Sequence, residues 1–315
     1  MTFEQWLNTP GQNRCYLVEA KYRLAGEEKN LYRATHPYRT GAADVPAYQP
    51  FVDGITDMGE FERDMTEVFT GQSRSQIGSI DMAMDDETRH LAQAAHFGGG
   101  SVTIKIGAPD WAYTDFVTVV KDAVGNSLDI SSSDVVTLSF KDRASVFAMP
   151  VQPNLIQSGP SIGKPKPICL GRCFNVSPVL IDQVANTWMV HDGAIEGITA
   201  LRENGNAITV YTDHLDGTFT INRSVTGRIT ADVEGAKPAA TWLQTGEQFI
   251  DYILQRHAFA SAVDVGVFPS YLLGLYIDSE MNIDAVFDKI VSCFVGSWQF
   301  DRQNNFRLRL KQVAA

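Results

Sequence analysis

Prolines are concentrated in one short segment, residues 150–167, and this segment constrains the fold more than any other feature of the chain. Its prolines, with the glycines between them, are Pro150, Pro153, Gly159, Pro160, Gly163, Pro165 and Pro167. Proline lacks a backbone N–H and has a fixed φ, so it breaks helices and is excluded from central strands. The segment therefore predicts a domain boundary or an extended linker, with separately folded parts before and after it.

The residues before this segment are patterned mainly as strands. Residues 15–35 alternate apolar and polar side chains on either side of a turn, which predicts a hairpin. Residues 77–84 alternate in the same way, and β-branched residues predict three strands between 101 and 140. Asp85–His96 is typical of a short helix with Asp85 or Asp86 as its N-cap. We expect a β-sandwich or barrel over residues 1–150.

The residues after the proline segment predict two further modules. Residues 168–238 are strand-rich, and Asn204-Gly205 and Asp216-Gly217 are hairpin signals within them. In 239–315, apolar residues at helical spacing predict helices over 246–257 and 282–294, beside a strand at 272–278 and a hairpin that turns at Gln303–Asn305. The predicted fold is mainly β, with β-sandwich or barrel domains in series, a linker over 151–167 and a small α+β module at the C-terminal end.

Charge and hydropathy exclude several classes of protein. The 315-residue chain has a formal net charge of −11, which argues against a protein that neutralises nucleic-acid phosphates. No apolar run is long enough to predict a transmembrane helix, and the first residues do not have the pattern of a signal peptide. We expect a protein made in a cytosol, with no membrane partner and no specific nucleic-acid partner.

The cysteines allow two interpretations. Cys169 and Cys173 are four positions apart on a predicted strand, and a structural zinc site would need a second pair nearby. Cys15 and Cys293 or distant histidines would have to supply it, and the same holds for an iron–sulfur cluster. Reduced, packed thiols are the favoured interpretation, and metal binding by Cys169 and Cys173 stays open.

Motifs that carry catalysis are absent from the sequence. It has no G-x-S-x-G, H-E-x-x-H or G-x-G-x-x-G pattern. His90 and His96 are six residues apart, so a helix would not place them on one face. The acidic residues from Asp81 to Glu87 lack the spacing of a calcium loop and are more typical of a helix N-terminus. We predict neither enzyme activity nor a catalytic, cofactor-binding or metal-binding residue.

A long proline-bearing connection over residues 36–64 carries the candidate interface residues. Aromatic and arginine side chains in loops are enriched at protein interfaces. The alternative is an Ω-loop that packs on its own sheet. The candidates are Tyr38, Arg39, Tyr48, Phe51 and Phe61.

Residues 166–205 resemble a segment of the tail-tip proteins of tailed phages. The shared motifs, in chain order, are Lys166-Pro167, Gly171–Pro178, His191-Asp192-Gly193 and Asn204-Gly205. Residues 274–310 are similar to a strand–helix–hairpin module of the same proteins, with the sequence Trp298-Gln-Phe-Asp-Arg in its hairpin. Residues 1–140 more loosely resemble the ring-forming β domain of distal tail proteins.

The resemblance implies a structural protein of a siphophage or prophage tail tip or baseplate, of the distal tail or hub class. Such a protein forms a trimeric or hexameric ring that joins the tail tube and tape measure protein to the hub, fibre and receptor-binding proteins. It would lie at the tip of the virion tail after assembly in the host cytoplasm. The alternatives are a cell-wall-degrading tail-tip protein and a carbohydrate-binding one, for which exposed tryptophans among Trp111, Trp188, Trp242 and Trp298 would be the candidates.

Overall fold

The computed structural model describes residues 2–59, 63–65, 73–75, 78–259 and 268–310. The described residues fall into two compact units. The first comprises residues up to Val146 together with Gln299–Arg307, and the second comprises Phe147–Trp298 and the residues from Leu308 onward. The predicted linker, 151–167, lies within the second unit, where Val151 and Ile156 are buried.

Strands make up 43% of the structure and helices 17%, which confirms the predicted mainly β fold with several sheets. The sheets are not closed, so the described strands form no barrel. The helices are α1 (Phe3–Asn8), α2 (Asp86–Ala94), α3 (Gly246–Arg256) and α4 (Ile283–Ser292). Helices α2, α3 and α4 were expected from the sequence, whereas α1 was not. No helix among the described residues has both the length and the apolar character needed to cross a bilayer.

The first unit is built on a nine-stranded sheet with the order β3-β4-β2-β1-β9-β10-β11-β8-β5. A separate hairpin pairs β6 with β7. The bounds are β1 (Cys15–Leu24), β2 (Glu27–Ala34), β3 (Tyr38–Arg39), β4 (Pro50–Asp53), β5 (Ile55–Asp57), β6 (Arg63–Met65), β7 (Ser73–Ser75), β8 (Gly78–Ala83), β9 (Ser101–Gly107), β10 (Val117–Ile130) and β11 (Val135–Lys141). The predicted 15–35 hairpin is confirmed as β1 and β2, which pair in antiparallel register.

Strand β1 is central because both of its faces are buried. Val18 and Ala20 pack into the larger core of the unit, with Leu91 of α2. Leu17 points into a second core beside Phe51 and Phe116. Successive strand residues face opposite sides of the sheet, so a strand with apolar residues at both parities is covered on both sides.

In the second unit, a five-stranded and a four-stranded sheet share one hydrophobic core. Their orders are β16-β15-β19-β12-β20 and β13-β14-β18-β17, and Phe219 of β18 packs into the same core as Leu201 of β15 and Val233 of β19. The bounds are β12 (Ile168–Val176), β13 (Val179–Asp182), β14 (Thr187–Met189), β15 (Ile195–Glu203), β16 (Asn206–Ile208), β17 (Tyr211–Asp213), β18 (Thr218–Ile221), β19 (Ile229–Ala236) and β20 (Gly274–Ile277).

Helices α3 and α4 bury the apolar stripes that predicted them. Each helix places its Phe and Ile residues inside, including Phe249 and Ile253 of α3 and Phe287 and Ile290 of α4. The last two strands, β21 (Gly296–Phe300) and β22 (Phe306–Leu310), form the predicted hairpin. Trp298 of β21 is fully buried, and its indole N–H donates to Asp288 at 2.8 Å.

Among the residues of the first unit whose burial the structure describes, Arg33 is the most deeply buried charged residue, at 2% exposure. Its guanidinium lies 3.0 Å from a carboxylate oxygen of Asp85 and 2.8 Å from one of Glu87. Asp85 is also the N-cap of α2, where its carboxylate accepts the backbone N–H of Thr88 at 2.7 Å. Arg33 therefore fixes the start of α2 against strand β2.

Replacing Arg33 is expected to destabilise the first unit. Arg33→Met would leave the two carboxylates without their cation and the guanidinium site without its hydrogen bonds. Because both carboxylates are about half exposed, we expect a loss of about 2 kcal/mol in the free energy of unfolding, less than for a fully buried pair. Urea titration followed by tryptophan fluorescence measures this loss.

The matched control is Arg89→Met on the same helix. Arg89 is half exposed and lies 3.6 Å from Asp86, so its removal should cost less than about 0.5 kcal/mol. Equal losses in the two variants would contradict the role assigned to Arg33.

Candidate functional site

The loop over residues 40–48 of the first unit contains Tyr48, one of the predicted interface residues, and directly follows Arg39, another of them. It is closed by internal hydrogen bonds: the Thr40 hydroxyl donates to the carbonyl of Pro46 at 2.7 Å and accepts the Gln49 N–H at 2.7 Å. The Gly41 N–H donates to the Asp44 carboxylate at 2.5 Å. These bonds hold the loop in one conformation although much of its surface is exposed.

The outer surface of this loop is apolar. Val45 is 87% exposed, Tyr48 is 58% exposed, and Val52 of the adjoining β4 is 44% exposed. The Arg39 guanidinium lies 5.6 Å from the centre of the Tyr48 ring, and its Nε donates to the Tyr48 carbonyl at 3.2 Å. We call Arg39, Val45, Tyr48 and Val52 the loop patch. An exposed apolar group beside arginine and tyrosine is typical of interaction surfaces.

The other predicted interface residues lie elsewhere. Phe51 is buried in the core rather than on the surface, because Tyr32 and Tyr38 pack edge-on against its ring. Tyr38 is half-buried, and its hydroxyl donates to the carbonyl of Trp111 at 3.1 Å. Phe61 lies outside the described residues. The sequence marks all of these as loop aromatics, and only the fold separates Tyr48, which is exposed, from Phe51, which is not.

In the second unit, residues from the motifs at 166–193 meet in one polar network. The carboxylate of Asp192 accepts hydrogen bonds from Asn154 at 2.8 Å and from Arg256, and it lies 3.1 Å from the ammonium of Lys166. Burial opposes ionisation of Asp192, but the bonds from Asn154 and Lys166 and the charge of Arg256 outweigh it. The pKa of this carboxyl therefore lies below its usual value.

His191 is the buried member of the same network, at 1% exposure. Its Nδ1 accepts the backbone N–H of Cys169 at 3.1 Å, so the neutral ring carries its proton on Nε2, which lies 3.4 Å from the hydroxyl of Tyr252. Burial, reinforced by the positive charge of Arg256, lowers the pKa of His191 to about 3, and the nearby Asp192 only partly offsets this.

The turn that presents His191 requires a glycine at position 217. Gly217 has a φ of +90°, and a Cβ atom there would lie 2.1 Å from the carbonyl oxygen of His191. The Val190 N–H donates to the Gly217 carbonyl at 2.8 Å. Asp216-Gly217 is thus both the predicted hairpin turn and the close contact that holds the His191 backbone in place.

Tyr252 and Arg256, which the sequence did not single out, complete the network from α3. The Arg256 Nη1 donates to the Tyr252 hydroxyl at 2.9 Å and to the Asp192 carbonyl at 3.1 Å. Their spacing of four places both side chains on one face of the helix. This spacing is the only sign in the sequence that Tyr252 and Arg256 act together. It does not identify a partner more than 60 residues away in the chain, such as Asp192.

Cys169 and Cys173 are buried in the core shared by the two sheets of the second unit. All four cysteines are free thiols. The contact with Cys173, together with burial, raises the pKa of the Cys169 thiol. No cluster of three His, Cys, Asp or Glu side chains suited to a metal ion occurs within the described ranges.

The tryptophans proposed for sugar binding differ in exposure. Trp298 is fully buried, and Trp111 packs against Trp6 with ring centres 4.6 Å apart. Trp242 is half-buried, with the Arg172 guanidinium 5.9 Å from its ring centre. Trp188 is half-buried and lines an open cleft.

Neither protein-family models nor curated proteins yield a match to this chain.

Lowering the pH is expected to destabilise the second unit through His191. The pKa of His191 is about 3 in the folded protein and near 6.5 in an unfolded chain, so unfolding takes up a proton. The free energy of unfolding therefore falls as the pH drops below 6.5, and by about pH 4 the loss from His191 is about 3 kcal/mol. Urea titrations at a series of pH values measure it.

The variant His191→Gln isolates this contribution, because glutamine offers an acceptor to Cys169 but does not titrate. Its unfolding free energy should decline less steeply than that of the wild type between about pH 6.5 and pH 4. His214→Gln, at an exposed site, should leave the slope unchanged. If the unfolding free energy of His191→Gln fell with pH as steeply as that of the wild type, His191 would not be a buried neutral group.

Proposed function

We propose that the chain is a structural protein of a phage tail tip or baseplate, of the distal tail or hub class. In this proposal, copies of the chain form a trimeric or hexameric ring. The ring joins the tail tube and tape measure protein to the hub, fibre and receptor-binding proteins at the tip of the virion tail. The protein acts by burying surface against its neighbours and carries out no chemical reaction.

The observation that carries the proposal is the loop patch. Its backbone is fixed by the bonds of Thr40 and Asp44, so the patch does not have to be ordered when a partner binds. Pre-organised apolar side chains lose little conformational entropy in an interface, so less of the free energy gained by burying their surface is offset by ordering. Tyr and Arg, here Tyr48 and Arg39, are the residue types that most often dominate binding energy.

The position of the patch in the sheet also favours contact between copies. The patch lies beside β3, the strand at one edge of the nine-stranded sheet. An edge strand has backbone groups available for pairing with another chain. A neighbouring copy that covers Val45 and Tyr48 is therefore well placed to approach this edge.

The motif residues that resemble tail-tip proteins support a structural role in a different way. Lys166, His191 and Asp192 are used in bonds within the chain, and Asn204-Gly205 forms the turn between β15 and β16. Side chains whose hydrogen bonds are satisfied internally stabilise a fold. They leave the outer surface of the unit to contact other proteins.

Removing the apolar side chains of the patch is expected to weaken assembly. The wild-type chain of 34.7 kDa should have a native mass, by light scattering, of three or six copies. The double variant Val45→Ser with Tyr48→Ser removes apolar contacts without touching the core, so its mass should shift towards the monomer at the same concentration.

Ile130→Ser is the matched control, because Ile130 is also exposed, at 48%, in the same unit but outside the loop. It should assemble as the wild type does. A loop variant with an unchanged native mass, or a wild type that stays monomeric, would contradict a ring held together by this patch.

A further inference from the structure

The second unit contains a cleft whose lining is separate from the Asp192 network. It lies between the turn that joins β13 to β14 and the segment that follows β18, and its volume is about 580 Å³. This is within the size range of small-molecule sites. Trp188 and Leu180 line it, together with Val225 from the opposite wall.

One amide fixes the walls of this cleft relative to each other. The Asn186 side chain donates to the carbonyl of Ile221 at 2.9 Å and to that of Arg223 at 2.8 Å. Its oxygen accepts the indole N–H of Trp188 at 2.9 Å. The cleft is therefore formed before any ligand arrives. Because the Trp188 N–H is already bonded, the group that Trp188 offers to a ligand is the apolar surface of its ring.

The charge in the cleft is balanced within the protein. Arg223 is the cation among the lining residues, and its guanidinium lies 2.7 Å from the carboxylate of Glu203. Glu203 also accepts the backbone N–H groups of Thr226 and Gly227, each at 2.8 Å. These bonds from Thr226 and Arg223 lower the pKa of Glu203 to about 2, so the pair stays ionised. A charged ligand would have to compete with this pair.

Uncharged polar groups are nevertheless available. The side chains of Gln183, Ser224 and Thr226 line the cleft, and they make no hydrogen bond to any residue that the structure describes. A purely apolar ligand would remove these groups from water without replacing their hydrogen bonds, which is unfavourable. The ligand should therefore have hydroxyl or amide groups as well as an apolar face.

We propose that this cleft binds a neutral oligosaccharide, with one sugar ring against Trp188 and its hydroxyls bonded to Gln183, Ser224 and Thr226. A pyranose ring has an apolar C–H face and a rim of hydroxyl groups, which matches an aromatic ring beside uncharged donors and acceptors. Sugar binding at this cleft does not depend on assembly of the chain into a trimer or hexamer. A monomeric protein would therefore retain it.

The test uses the purified chain and four trisaccharides, namely N,N′,N″-triacetylchitotriose, maltotriose, cellotriose and the acidic trigalacturonate. Calorimetric titration should show that at least one neutral trisaccharide binds with a Kd below about 1 mM. Trp188→Ala should weaken that binding about tenfold or more, whereas Trp188→Phe, which keeps an aromatic face, should restore most of it.

Gln183→Ala provides a second variant that leaves the fold intact, since Gln183 is exposed in the turn. It should weaken binding by about fivefold. The matched control is Gln157→Ala, an exposed glutamine of the same unit outside the cleft, which should bind as the wild type does. The loop variant Val45→Ser with Tyr48→Ser should also bind normally, so a failure of assembly and a failure of sugar binding can be told apart.

Three results would overturn the proposal. One is that no neutral trisaccharide binds the wild type at concentrations of about 10 mM. Another is that Trp188→Ala and Gln183→Ala both bind as the wild type does, because the sugar would then bind elsewhere. The third is that trigalacturonate binds more tightly than every neutral probe, which would contradict the neutral class of ligand.

Discussion

The second unit depends on the pairing of one buried carboxylate. The Asp192 side chain is only 10% exposed, and a buried charge is tolerated only where cations and hydrogen-bond donors surround it. Its donors come from two separate stretches of the chain: Asn154 and Lys166 lie in the proline-rich segment, and Arg256 lies in α3. Pairing Asp192 therefore fixes the proline-rich segment, the turn after β14 and helix α3 together. The neighbouring His191 also connects strand β12 to this network, because its Nδ1 accepts the backbone N–H of Cys169.

Several arginines of the described residues are paired with carboxylates of the same unit. Arg33, Arg202 and Arg256 all pair with carboxylates of their own unit, and the Arg202 guanidinium binds Asp232 through two bonds of 2.8 and 2.7 Å. The features left at the surface are of another kind. The first unit exposes an ordered apolar loop, and the second has an uncharged cleft beside Trp188. The loop suits contact with another protein, and the cleft suits the binding of a small polar ligand.

Local patterns predicted most of the elements, whereas pairings over long distances could not be predicted. The 15–35 hairpin and helices α2 to α4 follow from alternation, helical spacing and capping residues, which act over a few positions. Arg33 and Asp85 are 52 residues apart, and Asp192 and Arg256 are 64 apart, so no local pattern connects them.

The burial of individual aromatic side chains could not be predicted from the sequence either. Tyr48 and Phe51 are equivalent in the sequence, yet only the packing of Tyr32 and Tyr38 on Phe51 shows which is internal. Likewise, only the folded structure shows that Trp298 is fully buried whereas Trp188 is half-buried beside a cleft.

Electron cryo-microscopy of the purified chain would show whether copies assemble through the loop patch, because it gives both the number of copies and the surfaces between them. We expect closed rings of three or six copies, with Val45 and Tyr48 of each copy covered by its neighbour. Separate monomers would contradict this expectation. So would closed rings in which the 40–48 loop faces solvent, because the patch on which the proposed assembly rests would then bury no surface.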